Sequence, residues 1–212
     1  MEITWYGLSC FRLVERGYAS VVTDPYDYRV TDASPLRFNA DIVTVSKGAP
    51  EQGYFEAAAG RPYVIYGPGE YEVGGVFITG IQTGGQKGSE TAHNTLYVFD
   101  YDALTVAHLG DLNKVPTQAE VEAVGTVNIA MVPVGGGGLN AARAAEVIGM
   151  LEPNIVIPMH YAAADGKISL DSLAKFLKEM GISEARTQPS LKVAKNSLPE
   201  EMQVIVLEEQ RL

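Results

Sequence analysis

Apolar and polar positions alternate in short steps through the first half of the chain, the period expected of half-buried strands. Residues 3–6, 10–14 and 20–23 form β-rich runs separated by Gly7 and Gly17, and Asp24-Pro25-Tyr26 closes the third. Residues 41–45 are almost continuously apolar, the pattern of a strand covered on both faces. A short helix is expected over 52–59. Further strands are expected over 62–66, 71–73 and 76–81, and a hairpin over 95–99 and 104–108 turns at Tyr101-Asp102.

The second half changes period. Thr117-Gln118-Ala119-Glu120 has the form of a capping box. Residues 128–132 read as an apolar strand, and Asn140 as the cap of a helix running to Leu151, ahead of Pro153. Residues 155–158 are the next strand. Ser169 is expected to cap a helix that places Leu170, Leu173, Phe176, Leu177 and Met180 on one face, with Gly181 stopping it. A last strand spans 202–207. Antiparallel strands followed by strand–helix units, with no Pro/Ser-rich linker between them, predict one α/β domain over 1–212, sheet packed on sheet with helices outside.

The 212 residues suffice to bury a core, and no apolar run has the roughly twenty residues of a membrane span. The net charge of −10 argues against nucleic acid and against anionic membrane surfaces as partners. A single cysteine, Cys10, excludes an internal disulfide and reads as a small buried residue. Met1-Glu2-Ile3-Thr4-Trp5 lacks the basic and apolar regions of a signal peptide, so a cytoplasmic protein is expected.

Chemistry is expected in the loops that end apolar strands. Three such ends are polar: Ser46-Lys47-Gly48-Ala49-Pro50-Glu51-Gln52, His108-Leu109-Gly110-Asp111 and Pro158-Met159-His160-Tyr161. Residues 3–11, Thr23-Asp24-Pro25-Tyr26 and 41–46 together resemble the opening of the metallo-β-lactamase fold. Gly67-Pro68-Gly69-Glu70-Tyr71-Glu72, Asn94-Thr95, His108 to Leu112, Pro133-Val134-Gly135-Gly136 and Ile157 to Tyr161 are similar, in order, to later blocks of one branch. That branch is the zinc-dependent hydrolases of the β-lactamase fold, including ascorbate-phosphate lactonase-like proteins. The resemblance implies a four-layer αββα sandwich.

It also implies a ligand set that this chain departs from. The family's His-x-His-x-Asp-His motif, whose side chains hold two metal ions, reads here as Lys47, Ala49, Glu51 and Gln52. Its Gly-His-Ser-Cys reads Gly7-Leu8-Ser9-Cys10, and a further histidine falls at Gly84 or Gly85. The bridging aspartate and the last histidine correspond to Asp111 and His160, and Asp24 to a residue that supports the site by hydrogen bonds.

Zinc takes about four N, S or O donors. Lys47 has no lone pair at neutral pH, and Ala49 and Gly85 cannot coordinate. Asp111, His160 and Glu51 would at most hold one divalent ion, zinc or manganese, weakly. An ammonium at 47 would instead offset the charge of Asp111, so Lys47 is expected within salt-bridge reach of Asp111 or Glu51. His108 reads as a structural residue at a strand end, His93 as a surface histidine, Trp5 as core, and Gly135 to Gly138 as a loop.

Three readings follow. The first is a degenerate member that expects no cofactor and binds an unidentified small molecule or protein. The second is a hydrolase of ester, lactone or phosphoester type, using Asp111, His160, Glu51 and Lys47 with one metal or none. An ordinary two-metal hydrolase is the third and weakest, because the chain has only three histidines.

Overall fold

The computed structural model describes residues 1–31, 36, 38–48, 53–54, 58–84, 93–135, 139–162 and 169–210. Two large sheets stack face to face. The first contains β1 (Glu2–Trp5), β2 (Phe11–Val14), β3 (Val21–Thr23), β5 (Ile42–Val45), β7 (Tyr63–Tyr66) and β15 (Leu191–Lys192), in the order β15-β1-β2-β3-β5-β7. The second contains β8 (Gly69–Val73), β9 (Val76–Thr83), β10 (Asn94–Asp100), β11 (Thr105–His108), β12 (Ile129–Pro133), β13 (Ile155–Met159), β14 (Arg186–Gln188) and β16 (Gln203–Leu207). Their order is β14-β16-β13-β12-β11-β10-β9-β8. A small parallel pair joins β4 (Phe38–Asn39) to β6 (Ala58–Ala59).

The change of period read from the sequence is a change of pairing. Strands β8 to β11 form an antiparallel meander, and from β11 to β12, β13 and β16 the ladder is parallel. Parallel neighbours need crossovers, which α2 (Gln118–Val124), α3 (Ala141–Leu151) and α4 (Leu173–Glu179) provide. Helix α2 opens with the expected capping box at Thr117 and Glu120, and Asn140 caps α3 through the Arg143 N–H. The other helical segments among the described residues are the short α1 (Tyr28–Thr31) and a 3-10 turn at Lys195–Ser197.

Three apolar clusters hold the layers. Ile3, Trp5, Phe11 and Leu13 meet Ile78, Phe99, Val106, Met131 and Ile157 between the sheets. Ala144, Val147, Ile148, Leu151 and Phe176 pack the helices onto Leu96, Ala107, Ala130 and Val156 of the second sheet. Cys10, Val22, Val43 and Val45, on the outer face of the first sheet, are covered by Tyr26, Leu36 and Phe38. Strand β5 is buried at every position because both its faces are covered, as its continuous apolar run predicts. The architecture is mixed α/β, as expected.

Two elements differ from expectation. No helix ends at 59: Ala58–Ala59 is a strand, its register fixed by pairing with Phe38–Asn39, and Gly53 and Tyr54 are non-helical. The remainder of that expected helix lies outside the described residues. Helix α4 begins at Leu173, not after Ser169. The backbone at Asp171 is already committed, donating to Gly135 O and accepting from the Ala162 N–H, which leaves Ser172 as the N-cap residue.

Candidate functional site

The strand ends that carry the polar residues converge on one rim of the sandwich. The loop after β5 brings Ser46 and Lys47, the loop after β11 brings Asp111, and the residue after β13 is His160. Lys47 Nζ lies 2.6 Å from Asp111 Oδ2, so the expected ion pair forms with Asp111. Its side chains are 34% and 21% exposed, which puts the pair between a surface bridge and a buried one. Glu51, Ala49, Gln52 and Gly85 lie outside the described residues; Gly84, at φ 73, presents only backbone.

Asp111 is fixed through its backbone. Its N–H donates to Asn94 Oδ1 at 2.8 Å, while Asn94 Nδ2 donates to Leu109 O and Thr83 Oγ1. Asn94 is itself buried, so these bonds hold the turn after β11 to the start of β10. Gly110 makes the turn possible: at φ 59, a Cβ there would stand 2.5 Å from Asn94 Oδ1 and Ser46 Cβ.

Asp24 is fully buried, with φ 39, and takes both polar groups of Ser46: the N–H reaches Oδ1 at 2.6 Å and Oγ lies 2.5 Å from Oδ2. Burial pushes its carboxyl up to about 8. The Ser46 hydrogen bonds oppose that rise, and the charge of Asp111 adds to it. Asp24 is thus a neutral acid at pH 7, bracing the loop that carries Lys47.

His160 sits at φ 52 with its N–H on Leu8 O, and its Nδ1 is 3.2 Å from the buried Ser9 hydroxyl. The neighbouring Leu8 is also left-handed, at φ 47, and its carbonyl accepts from the Trp5 indole as well. The main-chain carbonyl of Ser9 accepts from Thr23 Oγ1 and from His108 Nε2. His108 is structural, as expected: it is fully buried, and desolvation lowers its pKa to about 4, so the ring is neutral with its proton on Nε2. His93 immediately precedes Asn94 at the start of β10, half-buried, with Nδ1 accepting from the Gln82 side-chain amide. Cys10 is buried in apolar surroundings that raise its thiol pKa, which keeps it unreactive. Gly135 packs with no room for a side chain against His160 O, and Gly136 to Gly138 lie outside the described residues.

The structure therefore brings together Lys47 and Asp111, and Ser9 and His160, with Asp24 behind them. Ser46, Ser9 and Asn94 carry site geometry that the sequence reading did not assign to them. The one available signal was a polar residue bordering each apolar run. Among the described residues, no three His, Cys, Asp or Glu side chains gather as a set of metal ligands.

A model of the β-lactamase superfamily domain matches residues 2–160. The chain is 28% identical to a UPF0173 protein of Pyrococcus furiosus over 201 residues, covering 85% of this chain and 90% of that protein. It is 26% identical to a UPF0173 metal-dependent hydrolase of Thermoplasma acidophilum over 193 residues, 78% of this chain and 85% of the relative. Among solved structures, a Thermotoga maritima protein described as a candidate zinc-dependent hydrolase of the metallo-β-lactamase superfamily superposes with a TM-score of 0.82. It shares 34% identity, with 99% of each chain covered. By sequence and by fold, this chain belongs to the β-lactamase superfamily, in its metallo-β-lactamase branch.

Proposed function

We propose that this chain is a member of the superfamily in which an internal ammonium has taken the place of the metal pair, and that it acts as a binding or scaffold protein. The observation that carries this reading is the 2.6 Å contact of Lys47 Nζ with Asp111 Oδ2, at the residue corresponding to the family's bridging aspartate. A cation covalently tethered beside that carboxylate competes with any divalent ion for it.

The histidine inventory supports the same reading. Of the three histidines in the chain, His108 is a buried strut, His93 has its Nδ1 engaged by Gln82, and His160 sits at the rim beside Ser9. Among the described residues, His160 and the lysine-bound carboxylate of Asp111 do not make up the donor set of a two-metal centre. The proteins named or described as metal- or zinc-dependent hydrolases are 26% to 34% identical to this chain, which leaves room for divergence at the site. We place the protein in the cytoplasm, with a small molecule or a protein as ligand. Its charge of −10 disfavours nucleic acid and anionic membranes.

Elemental analysis of protein purified without chelator tests the proposal. We expect well under about one equivalent of zinc, manganese or iron per chain, and about two equivalents would overturn it. A metal-free hydrolase using Asp111, His160, Glu51 and Lys47 is the second reading, favoured by the Ser9–His160 contact that orients the imidazole. Ester, lactone or phosphoester turnover that survives EDTA and is lost in His160→Ala would select it.

A further inference from the structure

Among the described residues, strand β7 is an edge, with β5 as its one neighbour in the first sheet. The Tyr63 N–H donates to Asp41 O, and the parallel register pairs Ile65 with Thr44. By alternation, the peptide groups of Tyr63 and Ile65 face β5, and those of Val64 and Tyr66 face outward. Natural edge strands carry lysines, prolines or bulges that block further pairing. Tyr63-Val64-Ile65-Tyr66 carries none of these within it, and Pro62 and Pro68, just outside it, confine the pairing edge to these four residues. Six large apolar side chains are exposed among the described residues, and three of them lie in this strand: Tyr63 at 53%, Val64 at 39% and Tyr66 at 66%.

We infer that two copies of this chain associate edge to edge through β7, antiparallel about a two-fold axis at Ile65, to continue the first sheet across the dimer. The free groups fit that register. Val64 of one copy lies opposite Tyr66 of the other in a hydrogen-bonded pair, and the symmetry repeats the pair on the far side of the axis. Val64 and Tyr66 share the outer face, so their side chains form one apolar strip across the junction.

Charge selects a second copy as the occupant. The molecule is strongly acidic, yet β7 is uncharged, so no like charges face each other within the strand pair itself. An antiparallel pairing also carries Arg61, just before β7, toward the partner's turn at Gly67 to Gly69 and the Glu70 that follows. Both side chains are exposed, and neither forms an ion pair among the described residues. The symmetry therefore sets opposite charges facing each other at both ends of the strip. A four-residue strand pair is smaller than a standard interface, so the expected dissociation constant is micromolar, about 10–100 µM.

Sedimentation equilibrium from about 5 to 300 µM tests this over the expected range. The wild type should pass from monomer to dimer. Val64→Lys should weaken the dimer at least about tenfold while leaving the far-UV circular dichroism unchanged, because a charge at an exposed edge blocks pairing. Tyr66→Lys serves if Val64→Lys does not fold. Arg61→Glu should weaken association about threefold at low salt, and adding Glu70→Arg should restore it. A wild type monomeric throughout, a dimer indifferent to both lysine variants, or a charge swap without restoration would overturn the inference. Pairing of this edge with a different protein would appear as the first of these outcomes.

Discussion

Deleting the Lys47 ammonium is the sharpest probe of the site. At 2.6 Å and an effective dielectric of about 20, the bare attraction between Lys47 and Asp111 is about 6 kcal/mol. Both side chains keep part of their water, and ordering the lysine costs entropy, so the net coupling is far smaller, about 1–2 kcal/mol. The two single deletions are unequal. Without Asp111, Lys47 can swing its charge into solvent. Without Lys47, the Asp111 carboxylate stays where the Asn94 bond to its N–H and the turn at Gly110 hold it, beside the buried Asp24. We predict that Lys47→Ala costs about 2 kcal/mol and Asp111→Ala about 1 kcal/mol. Urea unfolding of the wild type, both single variants and the double variant, at one fixed protein concentration, yields the coupling. For a domain of this size, the Lys47→Ala change corresponds to a fall in Tm of about 4–8 °C. Additivity within about 0.3 kcal/mol, or Asp111→Ala the costlier single change, would refute the reasoning.

Other expectations concern protonation and packing. Asp24 titrates near 8 when folded against 3.8 unfolded, so the native state alone binds its proton between those values. Its contribution to stability is present at low pH and falls as pH rises through this window, by about 1.4 kcal/mol per unit. Asp24→Asn should remove that slope, and equal slopes in variant and wild type by urea unfolding would contradict the assignment. His108, lowered to about 4, acts with the opposite sign: its contribution is present above pH 6.5 and lost as pH falls toward 4. These two groups should cancel between about pH 4 and 6.5 and leave the decline from 6.5 to 8 to Asp24, which His108→Gln would unmask as a slope at acid pH. Gly110→Ala should cost more than about 2 kcal/mol by chemical denaturation, since both its backbone angle and its closeness to Asn94 and Ser46 oppose a Cβ.

The strands legible in the sequence were those whose burial leaves a trace in side-chain type. Residues 41–45 announced a doubly covered strand, and Thr117 with Glu120 a helix start, because each is specified locally. Arg186–Gln188 pairs with β16 yet carries no apolar alternation, so its place in the sheet is written in backbone hydrogen bonds that side-chain pattern does not report. The start of α4 was misplaced for a related reason: Ser169 is a good cap, but the backbone bonds of Asp171 override it. At the site, the family resemblance set Lys47 and Asp111 at one cluster of strand ends. Charge then suggested a partner for Lys47 in Asp111 or Glu51, of which the structure shows Asp111. The clamp of Asn94 on Asp111 and of Ser46 on Asp24 was hidden. Each joins residues 17 or 22 positions apart through a main-chain N–H, which any residue type supplies equally.

The buried acid at position 24 also alters what the native molecule carries in solution. With that proton retained, the folded chain at pH 7 is one unit less negative than its formal −10, and denaturation hands the proton to the solvent. The heat absorbed on melting should therefore change with the ionisation enthalpy of the buffer, phosphate against Tris, in proportion to about one proton per molecule. In this way a carboxyl group with no exposed surface becomes countable by calorimetry.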